Sequence, residues 1–110
     1  MEAVKVGENF TTVYPTRMTQ VVDPAANTAG VYLRTATLIT GGGTISLYTS
    51  RTAPTRLGDP SVATIFGGMA GSNNLQYQLA YPLFIPAGYG LWTMSNIAGA
   101  AIALTWDFAV

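Results

Sequence analysis

The strongest constraint on the fold of this chain is the alternation of apolar and polar residues over short segments, each bounded by Gly or Pro. No segment of about ten residues keeps the 3.6-residue period of an amphipathic helix, which argues against a helical protein. Alternation over a few residues is typical of half-buried strands. About seven to nine such segments can be counted, which predicts an all-β, single-domain sandwich or jelly roll of about eight antiparallel strands.

Individual strands follow from the same pattern. The last segment, residues 101–108, places Ile102, Leu104, Trp106 and Phe108 on one face, so this row is expected to face the core. The residues on its other face are small and mostly uncharged, and a neighbouring sheet or subunit could cover that face.

Other segments predict a hairpin and a further strand. Residues 30–40 and 44–50 alternate on either side of three consecutive glycines, which predicts a β-hairpin. In the first of these segments, Val31, Leu33 and Thr35 share one face. Residues 75–81 alternate as a half-buried strand would.

The beginning of the chain leaves two interpretations open. Residues 10–14 and 18–22 have strand-like composition, but Pro15 and Pro24 interrupt them. Either they are the first strands of a single domain over residues 1–110, or residues 1–24 form an extended arm that pairs with the sheet edge of a neighbour. On the second interpretation Phe10 and Tyr14 would contact a partner.

Composition excludes several classes of function. The chain has no Cys and no His, which removes disulfides, thiolate metal sites and Cys-His or Ser-His catalytic pairs. Five basic side chains are too few for a nucleic-acid footprint. The longest apolar run, residues 97–104, is far shorter than a membrane span. We therefore expect no enzyme, no cofactor, no metal, no nucleic-acid partner and no membrane partner.

Low charge points towards assembly. Charged residues make up 9% of the chain and the formal net charge is zero, whereas about 25% charged residues are usual. A net charge near zero promotes association, so we expect a homo-oligomer. The alternative is a stable β-protein with a hydroxyl-rich surface.

Two loops supply the remaining candidate interface residues. Arg51 and Arg56 flank a Pro-containing segment, and arginine is favoured in interface contacts; the alternative is that both are simply solvated. Asp59 follows Arg56 by three residues, which suggests a local ion pair. Tyr89 and Trp92 lie beside a glycine turn and are candidates for exposure, where they could stack on a sugar ring; the alternative is that Trp92 is in the core.

A family resemblance is carried by residues 81–92 (YPLFIPAGYGLW), by Ser95-Asn96 with the strand that follows, and by Ala53–Asp59 (APTRLGD). From about Gly30 onwards the chain resembles small tailed-bacteriophage virion proteins of the capsid decoration or cement type. The resemblance implies a non-enzymatic β-sandwich, often trimeric, located in the virion and bound to the major capsid protein or other virion proteins. The alternatives are a carbohydrate- or receptor-binding β-module, or another head or tail component.

Overall fold

A computed structural model describes residues 3, 5–69 and 74–110, which form nine strands and one short 3-10 turn over Pro24–Ala26. The strands are β1 (Asn9–Val13), β2 (Thr19–Val22), β3 (Val31–Ile39), β4 (Thr44–Ser50), β5 (Ala63–Met69), β6 (Gln76–Gln78), β7 (Leu83–Ile85), β8 (Gly90–Ser95) and β9 (Ala101–Phe108).

The strands form two antiparallel sheets. In the front sheet the order is β1-β9-β3, and β6 and β7 pair with the two ends of the same β3 edge. In the back sheet the order is β2-β8-β4-β5. The predicted all-β sandwich is therefore confirmed.

The chain changes sheet at nearly every connection. It crosses from one sheet to the other at six of its eight connections, all except those between β4 and β5 and between β6 and β7. Since β6 and β7 share one position, each sheet has four strand positions, and the interleaved order is that of a jelly roll. A consequence is that strands distant in sequence are neighbours in space.

The predicted hairpin across the three glycines is wrong for this reason. Strands β3 and β4 lie in different sheets, and the glycine turn carries the chain from front to back. Gly41 has φ +60°, and a Cβ there would lie 2.3 Å from the carbonyl carbon of Gly99. The turn thus packs backbone against backbone on the β8–β9 connection, which only glycine permits.

The core lies between the sheets and takes residues from both. Its buried members are Val22, Val31, Leu33, Ala36, Leu38, Ile45, Leu47, Ile85, Leu91, Ala100, Ile102, Leu104 and Trp106. The inward row predicted for β9 is confirmed at three positions. Phe108 departs from it and is 43% exposed, because the strand ends there at the rim of the sheet.

Strand β3 does not keep one phase of alternation. Val31 and Leu33 face the core, and then Ala36 and Leu38 do, because the register with β9 shifts between Leu33 and Thr35. Such a bulge adds one residue and reverses the faces after it. Thr35, expected on the inner face, instead shares a 2.7 Å hydrogen bond with the hydroxyl of Thr105.

The start of the chain belongs to the sandwich. Strand β1 pairs with β9 along its whole length, and β2 pairs with β8. The structure thus places residues 9–22 in the two sheets of this chain and not in an extended arm. At the far edge of the front sheet, β6 is shorter than the predicted strand and covers only Gln76–Gln78, all exposed.

Candidate functional site

The expected interface residues fall on two separate surfaces. Phe10 and Tyr14 project from the outer side of the front sheet and are 79% and 64% exposed. Arg51, Arg56 and Tyr89 lie in loops attached to the back sheet. The structure therefore does not bring the predicted residues together in one site.

The outer face of the front sheet carries an uncharged patch at its glycine-turn end. Ala103 of β9 is flanked in the register by Thr12 of β1 and Thr37 of β3. A shallow depression of about 170 Å³ follows this face. We call it the outer strip, and it is lined by Thr12, Tyr14, Thr37, Ile39, Ala101 and Ala103. Its side chains are small, hydroxylic or apolar, so a partner can approach without displacing a charge.

The loop after β4 folds back across the outer face of the back sheet. The backbone N–H of Gly58 donates to the hydroxyl of Tyr48 at 2.7 Å, and Tyr48 is fully buried although it lies outside the core between the sheets. Trp92 is opposite Tyr48 in the register and is only 4% exposed. Strand alternation turns both rings away from the core, and the loop after β4 contacts the Tyr48 ring through its hydroxyl.

The prediction that Trp92 is exposed is therefore wrong. Tyr89 is half-buried, and its ring packs against the edge of the core. The guanidinium of Arg51 stacks over that ring at 4.9 Å from its centre. With Trp92 covered, Tyr89 and Trp92 form no exposed aromatic platform for a sugar ring. Arg51 and Arg56 remain exposed and available to a partner.

Asp59 organises the loop from within. The residue is 5% exposed, and its two carboxylate oxygens accept the backbone N–H and hydroxyl groups of both Thr55 and Ser61, at 2.7–3.0 Å. The Thr55 N–H contributes most to holding the pKa of Asp59 well below its ordinary value, followed by the Ser61 hydroxyl.

The expected ion pair between Asp59 and Arg56 is not formed. The only salt bridge among the described residues joins Arg34 to Asp107. Asp59 meets Arg56 through the backbone instead, since its N–H donates to the Arg56 carbonyl at 3.2 Å. Asp59 is thus a structural residue of the loop and offers no carboxylate to a partner.

Asn27 holds the turn over residues 86–89. Its side-chain amide donates to the carbonyls of Pro86 and Tyr89, both at 2.8 Å, and its side-chain oxygen accepts from the Gly30 N–H at 2.7 Å. Asn27 is 2% exposed, so these bonds satisfy a buried amide. The turn within the segment that carries the phage resemblance is therefore a rigid part of the fold.

A charged depression lies at the opposite end of the front sheet from the outer strip. It has a volume of about 510 Å³ and is formed where the N-terminal segment passes β3 and β9. We call it the arginine depression, and the side chains that matter here are Lys5, Glu8, Asn9, Tyr32, Arg34 and Asp107.

The arginine depression is built around one ion pair. Arg34 Nε donates to Asp107 Oδ2 at 3.0 Å, and the Glu8 N–H donates to Asp107 Oδ1 at 2.8 Å. The Glu8 N–H, and secondly Arg34, hold the pKa of Asp107 below its ordinary value. Sequence analysis missed this pair because 73 residues separate its members, and only the β3–β9 pairing brings them together.

Within residues 3, 5–69 and 74–110, no three acidic side chains gather in a way that could hold a metal ion. The described part of the chain also contains no helix able to span a bilayer. No protein-family model matches this chain, and no curated protein or solved structure matches it significantly.

Proposed function

We propose that this chain is a non-enzymatic structural subunit of a virion, a decoration protein that binds the head lattice of a tailed phage through the outer strip. The observation that carries the proposal is the strip itself, an uncharged face beside the exposed rings of Phe10 and Tyr14. Aromatic residues are enriched in protein interfaces and charged residues are depleted in their centres.

The fold is compatible with this role. Jelly rolls include viral capsid and lectin domains, although fold alone does not define a function. Low charge adds support, because a chain with a formal net charge of zero has little to oppose close packing with neighbours.

The resemblance of residues 81–92 to phage virion proteins supplies the class of partner, the major capsid protein. Many weak contacts on a repeating lattice reinforce one another when the subunit itself is an oligomer. A homotrimer located in the virion after assembly in the host cytoplasm is therefore the favoured state.

The proposal is tested by co-sedimentation with purified empty phage heads, together with native mass across a dilution series. We expect the protein to pellet with the heads and to keep a mass above that of a monomer. A Glu at Ala103 would place a charge in the middle of the strip, so Ala103→Glu should abolish pelleting. Gln20→Glu adds the same charge to an exposed position of the back sheet and should have no effect.

Two results would contradict the proposal. One is a wild-type protein that stays in the supernatant and is monomeric at every concentration. The other is an Ala103→Glu variant that alters the native mass and still binds heads, which would make the strip a contact between copies instead of a contact with the head.

A further inference from the structure

The arginine depression lies outside the surface used in the proposed function, and the guanidinium of Arg34 at its centre is fixed in position. The Arg34 guanidinium is fixed on two sides, by Asp107 at Nε and by the Tyr32 ring, whose centre is 4.6 Å away. Of the three guanidinium nitrogens of Arg34, only Nε has a hydrogen-bond partner among the described residues. The two terminal NH₂ groups therefore keep donors for a ligand at little cost in side-chain entropy.

The ring of Tyr32 lines the depression beside this arginine, and Phe84, which does not line the depression, packs against Tyr32. Tyr32 on β3 and Phe84 on β7 are neighbours in the register, with ring centres 5.1 Å apart. They are 39% and 52% exposed. Phe84 also packs over Gly30, where a Cβ would lie 2.3 Å from its ring. The Tyr32 ring is thus held between Phe84 and Arg34.

The charges around the depression balance. Lys5 and Arg34 contribute two positive charges, and Glu8 and Asp107 contribute two negative charges. The side chains that line the depression therefore carry no net charge that would select an anion or a cation. Instead, donors and acceptors lie side by side, which suits a neutral ligand that both donates and accepts hydrogen bonds.

We propose that the arginine depression binds a neutral hexopyranose sugar. A pyranose ring offers an apolar C–H face to Tyr32, whose ring is supported by Phe84 on the neighbouring strand. Its vicinal hydroxyls can accept from the Arg34 NH₂ groups and donate to the Glu8 carboxylate. The volume of about 510 Å³ lies within the range of small-molecule sites, about 300–1,000 Å³, and is sufficient for one or two sugar rings.

This assignment differs in location from the Tyr89–Trp92 platform considered in the sequence analysis. Tyr32, Arg34 and Phe84 lie on the front sheet, whereas Trp92 is buried in the back sheet. The sugar site and the outer strip also lie at opposite ends of the front sheet. A failure to bind sugar would leave the head-binding proposal intact, and a failure to bind heads would leave the sugar-binding proposal intact.

The test is an NMR titration of the full chain with galactobiose, maltose and mannobiose. At least one disaccharide should shift the backbone amides of Tyr32, Phe84 and Asp107 and the Nε–H of Arg34, with a Kd of about 1–10 mM. Phe84→Ala and Arg34→Met should each weaken binding about tenfold or more. Phe10→Ala removes a more exposed ring of the same sheet, far from Tyr32 in the register, and should not change the Kd.

Digalacturonate, the charged counterpart of galactobiose, tests the charge argument. It should bind no more tightly than galactobiose, since the lining has no net charge. The proposal is overturned if no neutral disaccharide shifts these signals at about 50 mM, if only digalacturonate binds, or if Phe10→Ala weakens binding as much as Phe84→Ala does. Thermal unfolding of each variant shows whether the fold is intact, and Phe84→Ala remains informative if Arg34→Met does not fold.

Discussion

The N–H of Gly58 donates to the hydroxyl of Tyr48 at 2.7 Å, and this bond fastens the loop after β4 to the outer face of the back sheet. Tyr48→Phe keeps the ring and removes the acceptor. We expect the free energy of unfolding to fall by about 1 kcal/mol in urea titrations, and the Gly58 amide to exchange with solvent faster. Tyr89→Phe is the control, because no described residue bonds that hydroxyl, and it should stay close to wild type.

Acid should loosen the same loop through Asp59. A carboxyl group whose pKa is lowered by folding contributes stability above its unfolded pKa, about 3.9, and this contribution is lost as the pH falls below it. Wild-type stability should therefore decrease below about pH 4. Asp59→Asn should show a shallower decrease, and the double variant with Asp107→Asn the shallowest, since the pKa of Asp107 is lowered too. Equal slopes in all three proteins would be inconsistent with this account.

The two tryptophans should both prove to be structural. Trp106 is 8% exposed in the core, and Trp92 is 4% exposed in β8 of the back sheet. Trp106→Ala and Trp92→Ala should each lower the free energy of unfolding by about 3–5 kcal/mol. Phe10→Ala should change it by less than about 0.5 kcal/mol. If Trp92→Ala behaved like Phe10→Ala in chemical denaturation, the Trp92 ring would not be buried.

Adjacent glycines offer a matched pair. Gly41 and Gly42 both have positive φ, but a Cβ at Gly42 would have nothing within 4 Å, whereas at Gly41 it would meet the Gly99 backbone at 2.3 Å. Gly42→Ala should cost about 1–2 kcal/mol from backbone conformation alone. Gly41→Ala should be clearly worse, because the turn must move away from the β8–β9 connection. A similar melting temperature for both variants would show that this contact is unimportant.

The exposed arginines of the loop test whether a second surface takes part in assembly. Arg51→Ala combined with Arg56→Ala should weaken binding to phage heads without unfolding the domain, since both side chains are exposed. Arg51 also stacks on Tyr89, so Arg56→Ala alone serves as the cleaner variant. Unchanged pelleting of the double variant with heads would limit the contact to the outer strip.

Sequence patterns predicted β9 well because nothing interrupts its alternation between Ala101 and Phe108. The same patterns assigned the wrong faces to the second half of β3, because a one-residue bulge at Arg34 exchanges the faces of the strand. A bulge here leaves no mark in composition, because Thr35 and Ala36 suit either face. Strand existence was therefore predictable, whereas the phase of β3 depended on pairing with a distant strand.

The candidate sites were less predictable than the strands. A glycine turn can reverse a chain within one sheet or carry it to the other, and the packing of Gly41 against Gly99 decides between them. Trp92 lies on the outward side of its strand and is nevertheless buried, which the alternation of the strand does not predict. The exposure of Phe10 is compatible with its choice as an interface candidate. The sequence left open whether Phe10 lies in a strand of the sandwich or in an extended arm.

The pairing of β1 with β9 has a consequence for how the protein is made. The Asn9 side chain bonds the carbonyl of Trp106, 97 residues later, and β9 lies between β1 and β3 in the front sheet. During synthesis, the first strands leave the ribosome long before their partner does. Such long-range pairing folds slowly and exposes unpaired strand edges in the meantime. Strand β9 is thus made after both of its neighbours in the front sheet, and the facing edges of β1 and β3 stay unpaired until it emerges.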